Sequence, residues 1–292
     1  MSQPFALSCR GGLNVNLNQL EVMRQPGVAI ELLNFEVDPD GGYRRINGFT
    51  LFGGGSSVRP NSSNRILGMF VYADGVIVCS GTGIFFSQDG TSYLQINKAS
   101  VSGSGDNFST FSGRSNDART SQGQCSFALF EGTSDYGEVL ICDGANKPFF
   151  FKMTGTGALS DRTFFAGEIT VDGTTAPTVG VVHENHFVVG GAPTAKNKIF
   201  FSATLDPDSF SGSGSGSIQL TDSIVGLASF RSDLIIFCKN SIFKLINISD
   251  SSSIAVVPIT KNVGCLDGQS IQEIGGDLLF LSPDGIRTVA GT

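Results

Sequence analysis

From Ile66 to Ile96 the chain reads ILGMFVYADGVIVCSGTGIFFSQDGTSYLQI, which breaks at Ala73-Asp74-Gly75, at Ser80 to Thr82 and at Gln88-Asp89-Gly90 into four short runs. Short runs rich in Val, Ile and Phe, bounded by turn residues, read as strands joined by tight reversals, so this segment predicts one antiparallel meander. The layout returns as CSFALFEGTSDYGEVLICDGANKPFFFKMTG from Cys125, VGVVHENHFVVGGAPTAKNKIFFSATL from Val179, IVGLASFRSDLIIFCKNSIFKLI from Ile224 and IQEIGGDLLFLSPDGIRTVAG from Ile271. Anchored on the start of each second strand, at Val76, Val139, Phe187, Leu234 and Leu278, the intervals are 63, 48, 47 and 44 residues. Propeller blades recur at about 40 to 50 residues, and a lone meander cannot bury its apolar surface without neighbours. The chain is therefore predicted to be all-β, a β-propeller of about five to seven blades, in preference to a sandwich or barrel.

The rest of the chain is read around that repeat. With 38 Gly and 24 Phe in 292 residues and no Trp, it suits short strands and many turns; the best helical stretch, Leu17 to Met23, is short and undercut by Pro26. The long first interval is explained by residues 98–123, a Ser, Gly, Asn and Asp-rich insertion predicted to be a surface loop. Ser211 to Ser217 (SGSGSGS) reads as a flexible link between the third and fourth units, and Gly53 to Asn64 as a connector. Two regions result: residues 1–53, an N-terminal arm and hairpin, and residues 54–292, the blades.

The arm centres on Gln25 to Phe49. Val28, Ile30 and Leu32 alternate with Ala29, Glu31 and Leu33 in a predicted strand reaching Val37, Asp38-Pro39-Asp40-Gly41-Gly42 supplies the turn, and Tyr43 to Phe49 is the return strand. Because the fifth unit holds only two or three strands, the hairpin either closes the ring against Leu278 to Ala290 or clasps a neighbouring subunit. A chain that continues beyond Thr292 is an equal alternative.

Several functions are disfavoured. A formal charge of −7 argues against wrapping nucleic acid, though not against a lumen through which DNA slides. Cys9, Cys79, Cys125, Cys142, Cys238 and Cys265 form no C-x-x-C pair, so buried thiols in a reducing compartment are predicted rather than zinc or redox chemistry. No signal-peptide pattern or membrane-length apolar run is present. Ser87 to Tyr93 approaches an Asp-box, read as a structural turn. His183 and His186 lie in H-E-N-H, not H-E-x-x-H, in a predicted solvated turn, so no metal site is assigned. Asp38-Pro39-Asp40-Gly41 has too few oxygen ligands for calcium. Asp143, Glu184 and Asp233 could supply paired carboxylates, but no two are favoured. No catalytic residue and no cofactor is predicted.

Gly11-Gly12-Leu13, Pro26-Gly27, Asn34-Phe35-Glu36, Gly41 to Arg45 and Asn47-Gly48-Phe49 are similar to the opening of tailed-bacteriophage propeller virion proteins: tail nozzle (tail tubular protein B) and, more distantly, packaged-DNA stabilisation proteins. Ile199 to Phe210, Ile218 to Leu245 and Val263 to Ile286 extend the resemblance. It implies a non-enzymatic homo-oligomeric ring, commonly sixfold, joining portal and adaptor to distal tail parts around the DNA exit channel, assembled in the host cytoplasm and residing in the virion without membrane contact. Within that reading Arg24, Tyr43, Arg44, Arg45, Arg114 and Arg119 are the candidate subunit-interface residues. The alternative is a phage propeller enzyme or lectin acting on host-surface glycans; the lectin requires Phe149, Phe150, Phe200 and Phe201 to point outward.

Overall fold

A computed structural model describes residues 11–25, 27–38, 42–48, 52, 60, 64–96, 123–132, 135–173, 175–250 and 252–291. The chain divides into two compact units, Met1–Gly55 and Ser56–Thr292.

The smaller unit holds helix α1 (Gln19–Arg24) and strands β1 (Phe35–Val37) and β2 (Tyr43–Arg45). Asn18 caps the helix, its Oδ1 accepting from the Leu20 and Glu21 amides at 3.0 Å, while Glu21 Oε2 accepts from the Asn18 amide at 3.0 Å. This reciprocal box satisfies donors that a short helix cannot pair internally. β1 and β2 pair antiparallel in the register Phe35↔Arg45, Glu36↔Arg44 and Val37↔Tyr43. The predicted strand from Val28 is thus shorter than its alternation suggested. Asn34 turns to φ +60° and interrupts the extended run, and Ala29 instead makes an isolated parallel bridge with Leu13. Gly41 and Phe49 lie outside the described residues.

The larger unit is five antiparallel meanders in chain order. The first sheet is β3 (Ile66–Tyr72), β4 (Gly75–Ser80), β5 (Gly83–Ser87) and β6 (Leu94–Gln95). The second is β7 (Ser126–Phe130), β8 (Glu138–Cys142), β9 (Phe149–Thr154) and β10 (Thr163–Glu168). The third is β11 (Val179–His183), β12 (His186–Ala192), β13 (Ala195–Phe201) and β14 (Gly216–Gln219). The fourth is β15 (Ile224–Phe230), β16 (Asp233–Cys238), β17 (Ile242–Ile246) and β18 (Ala255–Thr260). The fifth has three strands, β19 (Gln272–Ile274), β20 (Asp277–Ser282) and β21 (Gly285–Thr288). β11 lies against β7 and β15, the first strands of both its neighbours; first strands therefore gather inside and fourth strands outside, as in a β-propeller.

Four clusters stitch successive sheets together, and side-chain alternation explains them. In the second strand of the second sheet, Val139 and Ile141 face the first sheet with Ile77, Cys79 and Phe86. Leu140 and Cys142, one residue out of phase, face the third sheet with Phe187 and Val189. Likewise Leu234, Ile236 and Cys238 pack back on Val188 and Ile199, while Ile235 and Phe237 pack forward on Leu278 and Phe280. Burial on both faces is why these strands read as unbroken apolar runs.

Three fourth strands lay outside the recognised repeat units. β10 follows the loop after Thr154, and β18 carries Pro258 opposite Phe243; proline is tolerated on an outer edge strand, where half of the backbone donors have no ladder partner to lose. Ser211 to Ser217 is not a link between units: Ser217 lies in β14, opposite Phe200, so the stretch belongs to the loop and outer strand of the third sheet. Residues 98–122 of the expected insertion lie outside the described residues.

Candidate interaction surfaces

In the smaller unit none of the residues whose side chains are described is buried, and Val15, Leu20, Met23, Leu33, Phe35 and Phe52 are exposed. Backbone bonds hold its path: Gly11 N to Gly27 O at 3.0 Å, Asn14 N to Ala29 O at 2.8 Å and Ala29 N to Gly12 O at 2.9 Å. A hydrogen-bonded backbone whose described apolar side chains stay exposed offers them to another surface.

The sequence-predicted interface residues fare differently within this unit. The Tyr43 hydroxyl shares its proton between the Gly12 and Gly27 carbonyls, at 2.8 and 2.7 Å, so it pins the bridged segment to β2. Arg44 Nε donates to Glu36 Oε1 at 2.5 Å across the hairpin, both side chains being exposed. Arg45 is exposed beside a hollow of about 430 Å³ that it lines with Asn34, Ile46, Asn47 and Gly48. Arg24 is exposed in the last turn of α1, where its charge complements the helix dipole. Arg114 and Arg119 lie outside the described residues.

In the larger unit, two-residue turns join the first and second strands of four sheets, flanked by Tyr72/Gly75, His183/His186, Phe230/Asp233 and Ile274/Asp277. Three of these turns reach the next sheet. Tyr72 donates to Gly137 O at 2.7 Å and accepts from Met153 N at 3.3 Å; His183 Nδ1 lies 2.8 Å from Ser229 Oγ; Arg231 Nη2 donates to Gly276 O at 3.0 Å.

A fourth tie starts from Asp74, in the first turn. Its Oδ1 and Oδ2 accept from Arg162 Nη1 and Nη2 at 2.7 and 2.6 Å, and Arg162 also donates from Nε and Nη2 to Gly157 O at 3.2 and 2.9 Å. The Arg162 hydrogen bonds, the first cause, hold the Asp74 carboxyl down at about 2.

The histidine turn is a correction to the solvated reading. Glu184 and Asn185 form its tip at φ +46° and +61°, but both imidazoles are buried. His186 Nδ1 must donate to the Ser202 carbonyl at 2.7 Å, and Nε2 lies 3.2 Å from Ser249 Oγ and 3.3 Å from Thr204 Oγ1. Burial lowers the His183 pKa below that of a free imidazole. His183 matches Tyr72 in position: each ends an inner strand and hydrogen-bonds forward into the next sheet. The signal for this was the alignment of VVHENHF with FVYADGV, where the histidine falls on the tyrosine.

Other sequence candidates resolve into structural parts. Ser87 Oγ accepts from Gly90 N at 2.9 Å and Asp89 accepts from the Thr91 amide and hydroxyl at 2.8 and 2.5 Å, closing the Asp-box-like turn on itself. Asp143 is engaged by the Ala145 and Asn146 amides, and Asp233 by Lys244 at 3.2 Å. Asp143 follows a second strand whereas Glu184 and Asp233 precede or open one, so it sits at the opposite end of its meander. Phe149, Phe150, Phe200 and Phe201 are all buried, contrary to the orientation that a lectin face would need. Cys79, Cys125, Cys142, Cys238 and Cys265 are buried and in no disulfide; burial pushes the Cys238 thiol up to about 12 and Cys142 well above its ordinary range. Such thiols are poor nucleophiles. Cys9 lies outside the described residues. Burial, then the hydrogen bond and charge of Asp206, raise Asp208 to about 6. Among the described residues no group of three His, Cys, Asp or Glu side chains could hold a metal, and no helix is long and apolar enough to cross a membrane.

No protein-family model and no curated protein matches the chain. Solved structures do. The structure of RAG in complex with one melted and one unmelted RSS matches at 10% identity and TM-score 0.47, over 80% of this chain and 82% of that one. BBS1N in complex with ARL6DN matches at 10% and 0.44, over 76% and 62%, and the Neurospora crassa Pan2 WD40 domain at 9% and 0.42, over 76% and 64%. This chain thus spans just under two thirds of the latter two. The fold is read from the chain's own sheets, a β-propeller arrangement of four four-stranded and one three-stranded antiparallel meanders.

Proposed function

We propose that this chain is a non-enzymatic structural subunit of a bacteriophage tail, part of a nozzle or connector ring around the DNA exit channel that joins the adaptor or portal to more distal parts. One observation carries the reading: the described residues of the N-terminal unit have a capped, bridged and paired backbone but no buried side chain. Fully burying a large apolar side chain contributes about 1.5–3 kcal/mol. Docking several of them on a neighbour would offset the cost of ordering the segment, which its own packing does not. The resemblance of this same segment to phage virion proteins supplies the context, and the stacked sheets supply a stiff body suited to a ring wall. Its partners are then further copies of itself and adjoining tail proteins, with DNA passing transiently.

Electron microscopy of particles carrying a gold-labelled copy tests the assignment. Label at the tail, in a ring below the capsid vertex, is the supporting result. Label elsewhere in the particle, or particles without it, would sink the reading. A double reversal, Arg44→Glu with Arg45→Glu, tests the arm separately: it should leave a folded chain that no longer assembles.

A further inference from the structure

The sheets of the larger unit stack in a polar order. Each of the first four places a forward face on the rear face of its successor, through the four clusters described above. The order leaves a rear face on the first sheet and a forward face on the fifth.

On the fifth sheet, Leu278 and Phe280 point back and are buried against the fourth. Alternation therefore points Leu279 and Leu281 forward, and the register puts Ile286 beside Leu281. Leu281 is 38% exposed, Ile286 75% and Ile274, on the same face, 60%. At the corresponding forward positions of earlier second strands, Ile77, Cys79, Leu140, Cys142, Val188 and Phe237 are all buried. On the first sheet, Phe70 and Tyr72 point forward, Phe70 stacking on Phe127 of the second sheet at 5.5 Å between ring centres. Met69 and Val71 alternate with them onto the rear face and are 63% and 75% exposed. The rear surface lies open along its inner strand, while Val78 and Phe85 farther out are buried.

We infer that the forward face of the fifth sheet is an interaction surface whose occupant is the rear inner strand of the first sheet of a second copy of this chain. The argument is continuity: forward-on-rear stacking is the interface that the chain already builds four times within itself, and its two unfilled halves are complementary members of that same contact. The contact is heterologous, so one copy presents a forward half to one neighbour and a rear half to another, the arrangement that propagates into rings or linear assemblies. It rests on the homo-oligomeric part of the proposed function but uses surfaces wholly within the larger unit.

Sedimentation velocity of the full chain over a range of concentrations provides the test, with Leu281→Asp/Ile286→Asp blocking the forward half and Met69→Asp/Val71→Asp the rear half. Because all four positions are exposed, both variants should keep the far-ultraviolet circular dichroism of the parent. The parent should form oligomers, each variant alone should sediment as a monomer, and an equimolar mixture of the two should stop at a dimer, since each then carries one working half. Two results would overturn the inference. One is a monomeric parent at every concentration; an Ile286→Cys thiol that resists labelling in that monomer would mean that the chain covers the face itself. The other is oligomers that survive both face variants, and their loss only with Arg44→Glu/Arg45→Glu would place assembly in the arm.

Discussion

The residue that ties most together in the larger unit is Arg162. Its side chain is 2% exposed, yet its bidentate partner Asp74 is 52% exposed, so the pair joins a buried cation to a half-solvated carboxylate. Such a contact is worth less than a buried one because water screens it, and about 1 kcal/mol is reasonable for its loss through Asp74→Asn. Arg162→Met should cost more, about 2–3 kcal/mol, since the Gly157 carbonyl also loses its donor. The pH dependence follows from the depressed carboxyl. Asp74 drops from 3.8 to about 2 on folding, so its contribution is complete above pH 3.8 and is lost as pH falls through 2. Thermal melts of parent and Asp74→Asn should differ at pH 7 and converge between pH 4 and 2. A difference that persists at pH 2 would mean that the carboxylate's charge is not what stabilises the turn. The partner of Asp74 was not legible in the sequence, because 88 positions separate the two residues and the Ala73-Asp74-Gly75 turn signal does not say what the turn faces. The buried histidines show the converse: their positions were plain, but hydrophilic neighbours hid the burial that only the adjoining sheet creates.

At the scale of elements, the inner strands carry a shared detail. Leu67-Gly68 and Val225-Gly226 place glycine four residues before the turn-flanking Tyr72 and Phe230, and Val179-Gly180 places one three residues before His183, on the opposite face of its strand. A Cβ on Gly68 would lie 2.7 Å from the Phe127 ring, one on Gly180 2.7 Å from the Phe187 ring and one on Gly226 2.3 Å from Ile271 Cδ1. The glycines therefore let side chains of neighbouring strands cross the inner strand closely. Gly180→Ala should cost about 1–3 kcal/mol through overpacking, read as a lowered midpoint in urea at unchanged slope. Gly132 is the control: its Cβ would meet nothing within 4 Å, although at φ +105° its alanine variant carries backbone strain alone. Equal losses at both positions would refute close packing as the reason for Gly180. The second strands of the first four meanders were legible because burial on both faces writes an unmistakable apolar run. The fourth strands were not: β14 is alternately half-buried and exposed, and β18 includes a proline and two exposed residues, so each reads as loop until the third strand supplies its hydrogen bonds.

At the scale of the whole molecule, the two units differ in how they are held. All four apolar clusters and every buried described side chain belong to the unit from Ser56 onward. Among its described residues, the unit ending at Gly55 is held by a capping box, an isolated bridge, a three-residue ladder and the Tyr43 tie. Segments of that size seldom bury enough apolar area to balance conformational entropy of about 1–2 kcal/mol per residue. A chain starting at Ser56 should therefore melt within a few degrees of the full-length protein, with unchanged cooperativity, because a loss of about 1 kcal/mol moves the midpoint of a domain this large by only about 2–4 °C. Residues 1–55 as a separate peptide should show the circular dichroism of an unfolded chain. If the deletion left the melt unaltered but abolished oligomers, the arm would be established as an assembly element. If it lowered the midpoint by more than about 10 °C, the arm would be contributing to the stability of the propeller itself, and the assignment of its apolar side chains to a neighbouring subunit would fail.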